Sequence, residues 1–244
     1  KIITLDGIQN EIISGTQIRK IGYPYRTFYL PEFAGINKET GAPQFYTNSL
    51  DENGNYVKEI TETPNSSDPK KKANYIPICD ADPTVSGGLS NTLRYKWFDL
   101  NFMISYQFGG YSYDTWAQKT EHGGNEMKVN IPTYYRDRWQ KPGDETDIEI
   151  FIENPALSMQ SFANSRRIHS TDFIRLKNLT FGFTLPKQWT RKVKMDNVRL
   201  YMSGDNLLTW AKYDYYDPEA VSKGTATWGT PPLKAITFGL NINF

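Results

Sequence analysis

Several features that would indicate common protein classes are scarce in this chain of 244 residues. It contains one cysteine, Cys79, so no internal disulfide framework exists, and we interpret Cys79 as a small buried apolar residue. No apolar run approaches the ~18 residues of a membrane-spanning helix. The formal net charge is +1, so charge does not indicate a nucleic-acid partner, and we expect none. These absences exclude a disulfide-stapled domain and a helical membrane protein.

Motifs for catalysis are also missing from the sequence. His122 and His169 lie far apart in one predicted loop, no Cys/His cluster has zinc spacing, and no glycine-rich phosphate loop precedes a helix. We therefore predict that the chain is not an enzyme and holds no metal.

One segment has the ligand spacing of a calcium loop. Asp51, Asn53, Asn55 and Glu62 fit that spacing, but the sixth position is Tyr56, where such loops have glycine, and no helices are predicted on either side. An Asn-Gly turn accounts for the same residues more simply. We weigh calcium as the weaker interpretation and predict no cofactor.

The sequence is rich in aromatic residues and in alternating apolar and polar positions. Aromatics make up 14%, with 16 Tyr and 6 Trp. In the segment 234–244, Ile236, Phe238, Leu240, Ile242 and Phe244 fall on one face, while small uncharged residues take the other. A period of two is typical of a strand. A long strand with one broad apolar face is typical of an outer-membrane β-barrel, where that face contacts lipid.

The same alternation recurs in other segments. We predict barrel strands at about 84–97, 99–110, 172–185, 197–210 and 233–244. Asn91, Gly204 and Asn206 interrupt the apolar positions. Each segment has the roughly 9–11 residues that a tilted membrane strand needs, whereas soluble strands average nearer 5–6.

The predicted connections alternate between short and long. A tight turn at 95–99 and the segment 186–196 are short, whereas the loops 111–171 and 211–232 are long. Outer-membrane barrels have short periplasmic turns and long extracellular loops. Interfacial aromatic girdles account for the aromatic residues at the two ends, and ordinary core packing is the alternative. Tyr95, Trp97, Phe98 and Trp189 lie at the short-turn end, and Tyr106, Phe108, Tyr111, Trp210 and Tyr213 lie at the other end.

The remaining regions are predicted with less regular structure. Residues 1–83 are interpreted as the end of one barrel strand plus a large extracellular loop region, and 84–244 as the C-terminal barrel strands. A helix is predicted at 131–140, capped by Asn130, with Pro132 in its first turn. Because Lys1 begins inside a strand-like run, we expect a fragment or a processed chain.

Several motifs resemble the C-terminal part of SusC/RagA-family TonB-dependent outer-membrane transporters, and they follow the family's order over nearly the whole chain. They are 33–41 (FAGINKETG), 44–46 (QFY), 87–100 (GGLSNTLRYKWFDL), 104–109 (ISYQFG), 138–144 (RWQKPGD), 173–186 (FIRLKNLTFGFTLP), 198–210 (VRLYMSGDNLLTW), 216–219 (YDPE) and the closing strand.

The resemblance implies a fold and a function. The fold is all-β: an antiparallel transmembrane β-barrel segment, the C-terminal strands of a roughly 22-stranded barrel whose lumen holds a plug. The function is import of oligosaccharides or peptides across the outer membrane of a Gram-negative bacterium. A SusD-like surface lipoprotein is the implied lid, TonB–ExbB–ExbD the energy source, and outer-membrane lipid the surroundings. The rest of the barrel and the plug must come from outside this chain.

The resemblance also implies roles for particular residues. Ligand or lid contact is expected from aromatics of the outer loops: Tyr111, Tyr113, Trp116, Tyr213, Tyr215, Tyr216 and Trp228. Packing on other loops is the alternative role for each of these rings. Lumen or plug contact is expected from Arg94, Lys96, Asn101, Gln107, Asn178, Asn241 and Asn243. The barrel assembly signal is expected at Leu240, Ile242 and Phe244.

Two other classes remain open. A soluble carbohydrate-binding β-sandwich would need strands of about six residues and balanced loops. An enzyme on a small barrel would need clustered acid, base or nucleophilic residues on the loops. The strand lengths disfavour the first class, and the missing clusters disfavour the second.

Overall fold

The computed structural model of the chain describes residues 1–5, 10–126, 128–153, 163–226 and 229–244. The chain divides into two compact units. Unit 1 comprises Lys1–Asp82, Tyr111–His169 and Val221–Trp228, and unit 2 comprises Pro83–Gly110, Ser170–Ala220 and Gly229–Phe244. In the described part of the chain, no helix has both the length and the apolar character needed to cross a membrane.

Strands dominate the described residues. In chain order they are β1 (Glu11–Ser14), β2 (Gln17–Lys20), β3 (Thr27–Pro31), β4 (Phe33–Ile36), β5 (Pro43–Tyr46), β6 (Ser49–Leu50), β7 (Tyr56–Val57), β8 (Ile60–Thr61), β9 (Tyr75–Asp80), β10 (Val85–Tyr95), β11 (Phe98–Phe108), β12 (Tyr111–Tyr113), β13 (Ile168–Ser170), β14 (Phe173–Thr184), β15 (Asn197–Ala211), β16 (Val221–Ser222), β17 (Thr225–Ala226) and β18 (Ala235–Asn243). The α-helices are α1 (Thr115–Thr120) and α2 (Lys187–Thr190), and 3-10 helices cover Thr133–Asp137, Ser165–Arg167 and Arg191–Val193.

Unit 2 is built on one antiparallel sheet, which we call the long sheet. Its strand order is β10-β11-β14-β15-β18. The strands contain 11, 11, 12, 15 and 9 residues. Their ends fall within about two residues of the predicted segments. The coarse prediction of a strand-dominated chain is confirmed, but within the described residues the long sheet is open, so barrel closure stays a prediction.

A bulge explains where the sequence alternation of the long sheet changes phase. Phe102 pairs with Leu179 and Ile104 pairs with Leu176, so β14 holds one more residue than β11 across this interval. The extra residue brings Leu176 and Leu179 to one face although they lie three positions apart. In β15 a second irregularity lies beside Asn206, whose φ is 51°. Of the two predicted interruptions, Asn206 lies at this irregularity, whereas Gly204 pairs in regular register with Leu179.

Unit 1 contains several smaller sheets. Their orders are β1-β2-β3-β9, β13-β12-β17-β16, β4-β5-β8 and β6-β7. The buried core consists of Phe28, Leu30, Ala81 and Tyr113. It is therefore formed by residues that lie far apart in the sequence. A second small cluster packs Phe45 against Ala73 and Phe33.

The predicted loops are more structured than expected. The loop 111–171 supplies β12, α1 and β13, and the loop 211–232 supplies β16 and β17. The predicted helix at 131–140 is corrected to a five-residue 3-10 helix at Thr133–Asp137. Pro132 and Arg138 at its ends are extended, with ψ of 152° and 161°, so the backbone leaves the helical region on both sides. No side chain caps this helix, so the predicted Asn130 cap is not formed.

Candidate functional site: the two faces of the long sheet

One face of the long sheet is apolar along complete rows. The central row runs through Leu93, Leu100, Phe181, Met202 and Phe238, each directly opposite the next across all the strands. A second row runs through Tyr95, Phe98, Phe183, Leu200 and Leu240. Since side chains opposite one another share a face, these rows form a continuous surface, which we call the apolar face.

The apolar face is exposed. Most members of the two rows are exposed, and Phe238 leaves 77% of its surface uncovered. Soluble monomers rarely expose contiguous apolar patches beyond a few hundred Å². A surface of this extent requires contact with an apolar partner or with lipid.

Aromatic side chains lie at both ends of the apolar face. Tyr95, Trp97 and Trp189 are exposed at the short-turn end, and Trp210 is exposed near the opposite end. The turn between β10 and β11 is two residues long, and Lys96 in it has a left-handed φ of 53°. The ends of the face therefore carry the amphipathic rings that membrane interfaces favour.

The opposite face of the long sheet is polar and internally hydrogen-bonded. Arg199 donates from Nε and Nη2 to the two carboxylate oxygens of Asp99 at 3.0 and 2.5 Å. Thr92 Oγ1 donates to Asn101 Oδ1 at 2.7 Å, and Asn101 Nδ2 donates to Asp99 at 3.3 Å. Each acceptor thus has a donor from a neighbouring position, which fixes the side chains of this face.

Further along the same face, a second network ties β14 to β15. Asn178 Nδ2 donates to Ser203 Oγ at 3.0 Å and to Asp205 Oδ1 at 2.7 Å. The hydroxyls of Thr180 and Ser203 are 2.8 Å apart. The Tyr201 ring covers Gly239, where a Cβ atom would lie 2.1 Å from Cζ of that ring, so the absence of a side chain at 239 makes room for the ring.

The residues predicted to face a lumen are distributed as follows. Asn101 and Asn178 lie in the two networks above, and Arg94 is directly opposite Asp99. Asn241 is opposite Arg199 and Asn243 is opposite Asn197. Gln107 Nε2 donates to Thr171 Oγ1 at 2.9 Å. Lys96 differs from the others, because it lies in the turn and its Nζ sits 5.4 Å from the centre of the Tyr95 ring; its lumen-facing role does not follow from this position.

The predicted assembly-signal residues lie on the edge strand of the apolar face. Leu240 is opposite Leu200 and Ile242 is opposite Val198. Phe244 follows the last residue of β18 and is exposed.

In unit 1, the predicted ligand-contact aromatics have different surroundings. Tyr111 and Trp116 are exposed. Tyr113 is a correction: it is 1% exposed, packs in the core with Phe28 and Leu30, and donates its hydroxyl to Gln118 at 3.1 Å. A ring closed off in this way cannot stack on a large ligand. Trp228 lies outside the described residues.

In unit 2, three predicted contact residues form one cluster, the tyrosine cluster. The ring centres of Tyr213 and Tyr215 are 5.2 Å apart, and those of Tyr213 and Tyr216 are 5.1 Å apart. Tyr215 is 65% exposed. The cluster offers aromatic faces for stacking on sugars or packing on peptides.

An ionic clamp fixes the segment that carries the tyrosine cluster, and the sequence reasoning missed it. The buried Arg175 donates to Thr209 Oγ1 at 3.0 Å, to Asp217 Oδ2 at 2.6 Å and to Glu219. Lys177 Nζ also donates to Glu219, at 2.6 Å. The Tyr-Asp-Pro-Glu motif at 216–219 was the available signal, because its two carboxylates are the partners of Arg175.

Unit 1 holds a second ionic cluster that sequence reasoning missed. The fully buried Glu149 accepts hydrogen bonds from the Tyr135 hydroxyl at 2.7 Å and from Arg166 Nη1 at 2.8 Å. Tyr134 donates to Glu121 at 2.7 Å. Burial raises the pKa of Tyr134 and of Tyr135, and nearby carboxylates raise it further. Burial alone would lower the pKa of the Arg166 guanidinium. The negative charges of Glu121 and Glu149 have the larger effect, so the pKa is raised.

The residues considered for catalysis or metal binding have structural partners. His122 Nδ1 accepts from the backbone N–H groups of Gly124 and Glu126, both at 3.2 Å, and its Nε2 lies 3.1 Å from the Val129 carbonyl oxygen. Burial lowers the pKa of His169. Among the described residues, no group of three His, Cys, Asp or Glu side chains could hold a metal ion.

The suggested calcium segment is a hydrogen-bonded turn. Asp51 Oδ1 accepts from the backbone N–H groups of Asn53 at 2.9 Å and Asn55 at 2.8 Å. Glu62 accepts from the side chains of Asn37 and Gln44 at 2.6 and 3.1 Å. The Asp51 carboxylate thus accepts hydrogen bonds from backbone N–H groups, and Glu62 binds the side chains of Asn37 and Gln44 instead. That the chain has no cofactor stays a prediction.

Comparison with known proteins agrees with the resemblance seen in the motifs. A scan of protein-family models finds none that matches the chain. The chain is 28% identical over 243 residues to TonB-dependent receptor P3 of Formosa agariphila, covering 94% of the chain and 23% of that protein. It is 27% identical over 175 residues to TonB-dependent receptor P26 of the same organism, covering 66% and 17%.

Solved structures give the same result. The RagAB peptide importer in its closed-closed state matches with a TM-score of 0.80 and 27% identity, covering 98% of this chain and 25% of that one. The RagAB peptide transporter matches with a TM-score of 0.78 and 28% identity, covering 97% and 25%. The resemblance to SusC/RagA-type TonB-dependent transporters is confirmed. This chain spans about a quarter or less of the length of these relatives.

Proposed function

We propose that this chain, similar over most of its length to TonB-dependent receptors, forms part of the wall of a transmembrane β-barrel in a Gram-negative outer membrane. The complete protein would be a SusC-like importer of oligosaccharides or peptides. Other parts of the protein would supply the remaining strands and the plug. TonB, with ExbB and ExbD, would supply the energy, and a SusD-like surface lipoprotein would close over the outer loops.

The observation that carries this proposal is the exposed apolar face. Strands of 9 to 15 residues are long enough to cross a bilayer when tilted, because a tilted strand needs about 9–11 residues. The open edges of the long sheet require further strands, since unpaired backbone groups in lipid cost several kcal/mol each. The apolar rows would contact lipid, and the polar networks would face the lumen and the plug.

Spin-label accessibility tests which face contacts lipid. Single cysteines labelled with a nitroxide would replace Phe238, Leu240, Thr237 and Asn241 in turn, in the full-length protein with every native cysteine, Cys79 included, replaced by serine, reconstituted in liposomes. Labels at 238 and 240 should relax faster with oxygen, which concentrates in lipid. Labels at 237 and 241 should not.

A matched control tests whether the oxygen response reports contact with lipid or only the apolar character of the replaced residue. Leu50 is exposed and apolar but lies in the β6 strand of unit 1. A label there should respond to a water-soluble nickel chelate instead of oxygen. Equal responses of all the labels on β18 would overturn the membrane assignment.

The tyrosine cluster is the proposed contact for ligand or lid, together with Tyr111 and Trp116. Its rings present stacking surfaces, and the ionic clamp holds the segment that carries them. Alanine substitutions at Tyr213 and Tyr215 in the full importer should weaken binding of a transported oligosaccharide or peptide. Unchanged ligand and lid affinity would leave these rings a packing role only.

The edge strand β18 is the proposed assembly signal. Leu240, Ile242 and Phe244 would be recognised when the barrel is inserted. Phe244→Ala should lower the amount of heat-modifiable barrel in the outer membrane. An unchanged amount would contradict the proposed assembly signal.

No observation favours the soluble carbohydrate-binding sandwich. Within the described residues of unit 2, the long strands form a single sheet, whereas a sandwich buries its apolar faces between two. No enzyme activity is proposed, because the similar proteins are named as receptors and importers.

A further inference from the structure

A short basic segment lies at the short-turn end of the long sheet. We define the basic segment as residues 186–196, which contain α2 and the 3-10 helix Arg191–Val193. Its exposed cationic side chains are Lys187, Arg191, Lys192 and Lys194, against one acidic residue, Asp196. This local excess of positive charge contrasts with a net charge of +1 for the whole chain.

Backbone hydrogen bonds attach the two ends of the basic segment to the sheet. The Thr184 N–H donates to the Trp97 carbonyl, the Leu185 N–H to the Val198 carbonyl and the Asp196 N–H to the Asn243 carbonyl, each at 2.8 Å. Inside the segment, the Met195 N–H donates to the Thr190 carbonyl at 3.1 Å, and Thr190 is buried. The backbone that carries the cations is therefore anchored beside the end of the long sheet.

These cations have no ionic partner in the part of the chain that the structure describes. None of them lies within ion-pair distance of a carboxylate, whereas Arg175, Lys177 and Arg199 of the same unit are all paired. Four neighbouring positive charges without internal compensation create a positive local potential, which attracts anions from outside the chain.

Aromatic residues connect the basic segment to the apolar face. Trp189 lies within the segment and is 58% exposed, and Trp97 and Tyr95 are exposed in and next to the adjacent turn. The apolar row from Tyr95 to Leu240 follows immediately. The order of these groups along the protein is positive charge, amphipathic ring and aliphatic surface. A lipid leaflet has the matching order of headgroup phosphate, interface and acyl chain.

Resting on the proposed function, in which the apolar face lies in lipid, we infer that the basic segment is a binding site for anionic glycerophospholipid headgroups. The lysines and the arginine would bind headgroup phosphates of the leaflet beside the short turns. Trp189 would lie at the level of the glycerol backbone. The site would fix the depth and tilt of this part of the wall.

Native mass spectrometry of the full-length protein in detergent tests this inference. Phosphatidylglycerol, phosphatidylcholine and lipid A would be added separately to the parent, to R191Q/K192Q/K194Q and to the control K70Q/K71Q/K72Q. The control removes the same charge from exposed lysines of unit 1. The parent and the control should bind phosphatidylglycerol more tightly than the other lipids, and the segment variant should bind it at least tenfold more weakly.

Two results would overturn the inference. One is equal phosphatidylglycerol binding by the parent and the segment variant. The other is a preference of the parent for lipid A that the three substitutions abolish, because the anionic ligand would then belong to the other leaflet. Oxygen accessibility on β18, measured on the same variants, separates this failure from failure of the membrane assignment, since it does not depend on the three charges.

Discussion

Arg199 and Asp99 form a two-pronged ion pair across an intervening strand, directly over Gly182. Asp99 is opposite Gly182 on one side, and Arg199 is opposite Thr184, the residue two positions further along β14. A Cβ atom at 182 would lie 2.4 Å from both Arg199 Nη2 and Asp99 Oδ1. The missing side chain is therefore what allows β11 and β15 to be joined over β14.

The first prediction concerns this glycine. Gly182→Ala should separate the two charged groups and destabilise the long sheet by about 1.5–3 kcal/mol, the range for a hydrogen bond to a charged group. The measurement is urea unfolding of the full-length protein in liposomes, with electrophoretic mobility reporting the folded fraction.

A double-mutant cycle provides the control. If Gly182→Ala acts by opening the ion pair, then adding Asp99→Asn should cost little more. Fully additive losses would mean that the alanine disturbs the strand itself.

The second prediction concerns the buried carboxylate of unit 1. Glu149→Gln removes the charge that faces Arg166 and leaves the guanidinium less compensated. Breaking a buried ion pair costs about 3–5 kcal/mol. Hydrogen exchange of the full-length protein should therefore speed up in the 3-10 helices Thr133–Asp137 and Ser165–Arg167.

Glu145→Gln is the matched control for this substitution. Glu145 pairs with Lys38, and both side chains are largely exposed, so its loss should change stability much less than the loss of the buried charge. Equal effects of the two substitutions would contradict a stabilising role for the buried cluster.

The sequence predicted the long sheet far better than unit 1, and the reason is the range of the contacts involved. Alternation between neighbours defines strands such as β10 and β18, where Leu89 and Leu93 or Phe238 and Leu240 repeat at even spacing. The change of phase between Leu176 and Leu179 is also visible in the sequence, but only the register of β11 identifies it as a bulge.

Unit 1 depends on pairs that no local pattern reveals. β12 pairs in parallel with β17, joining Tyr113 to Thr225. Glu149 and Arg166 appear in sequence as ordinary solvated loop charges, and only the fold brings them together in a buried site. The burial of Tyr113 has the same origin, since its ring lies beside Phe28 and Leu30.

The third prediction is a loss of stability of unit 1 at alkaline pH. Burial raises the pKa of Tyr135 above that of an unfolded tyrosine, which is about 10. Below pH ~10 both states keep the proton, and the contribution is complete; above it the unfolded state loses its proton first, so stability falls as pH rises. Hydrogen exchange of unit 1 between pH 8 and 11, corrected for the intrinsic rate, should report this fall.

Tyr135→Phe should flatten that pH dependence while lowering stability at pH 8, because the hydrogen bond to Glu149 is lost. Tyr56→Phe changes an exposed tyrosine and should leave the dependence as it is. An identical alkaline slope in the parent and in Tyr135→Phe would show that other groups cause the loss.

The fourth prediction concerns the ionic clamp beneath the tyrosine cluster. Arg175→Gln removes the shared donor of Asp217 and Glu219, so the attachment of the segment 212–220 to β14 should weaken to the contact between Lys177 and Glu219. A loss of about 1.4 kcal/mol corresponds to a tenfold change, and hydrogen exchange in this segment should accelerate by at least that factor. Lys177→Gln removes only the more exposed contact with Glu219 and should accelerate exchange less.

The same pair of variants tests whether order in the segment matters for binding. If the tyrosine cluster contacts ligand or lid, an attached segment avoids part of the entropy cost of binding. Arg175→Gln should then weaken binding even though its side chain is buried and touches neither partner, and Lys177→Gln should have a smaller effect. Faster exchange with unchanged affinity would show that the clamp does not contribute to recognition and that Arg175 only stabilises the segment 212–220.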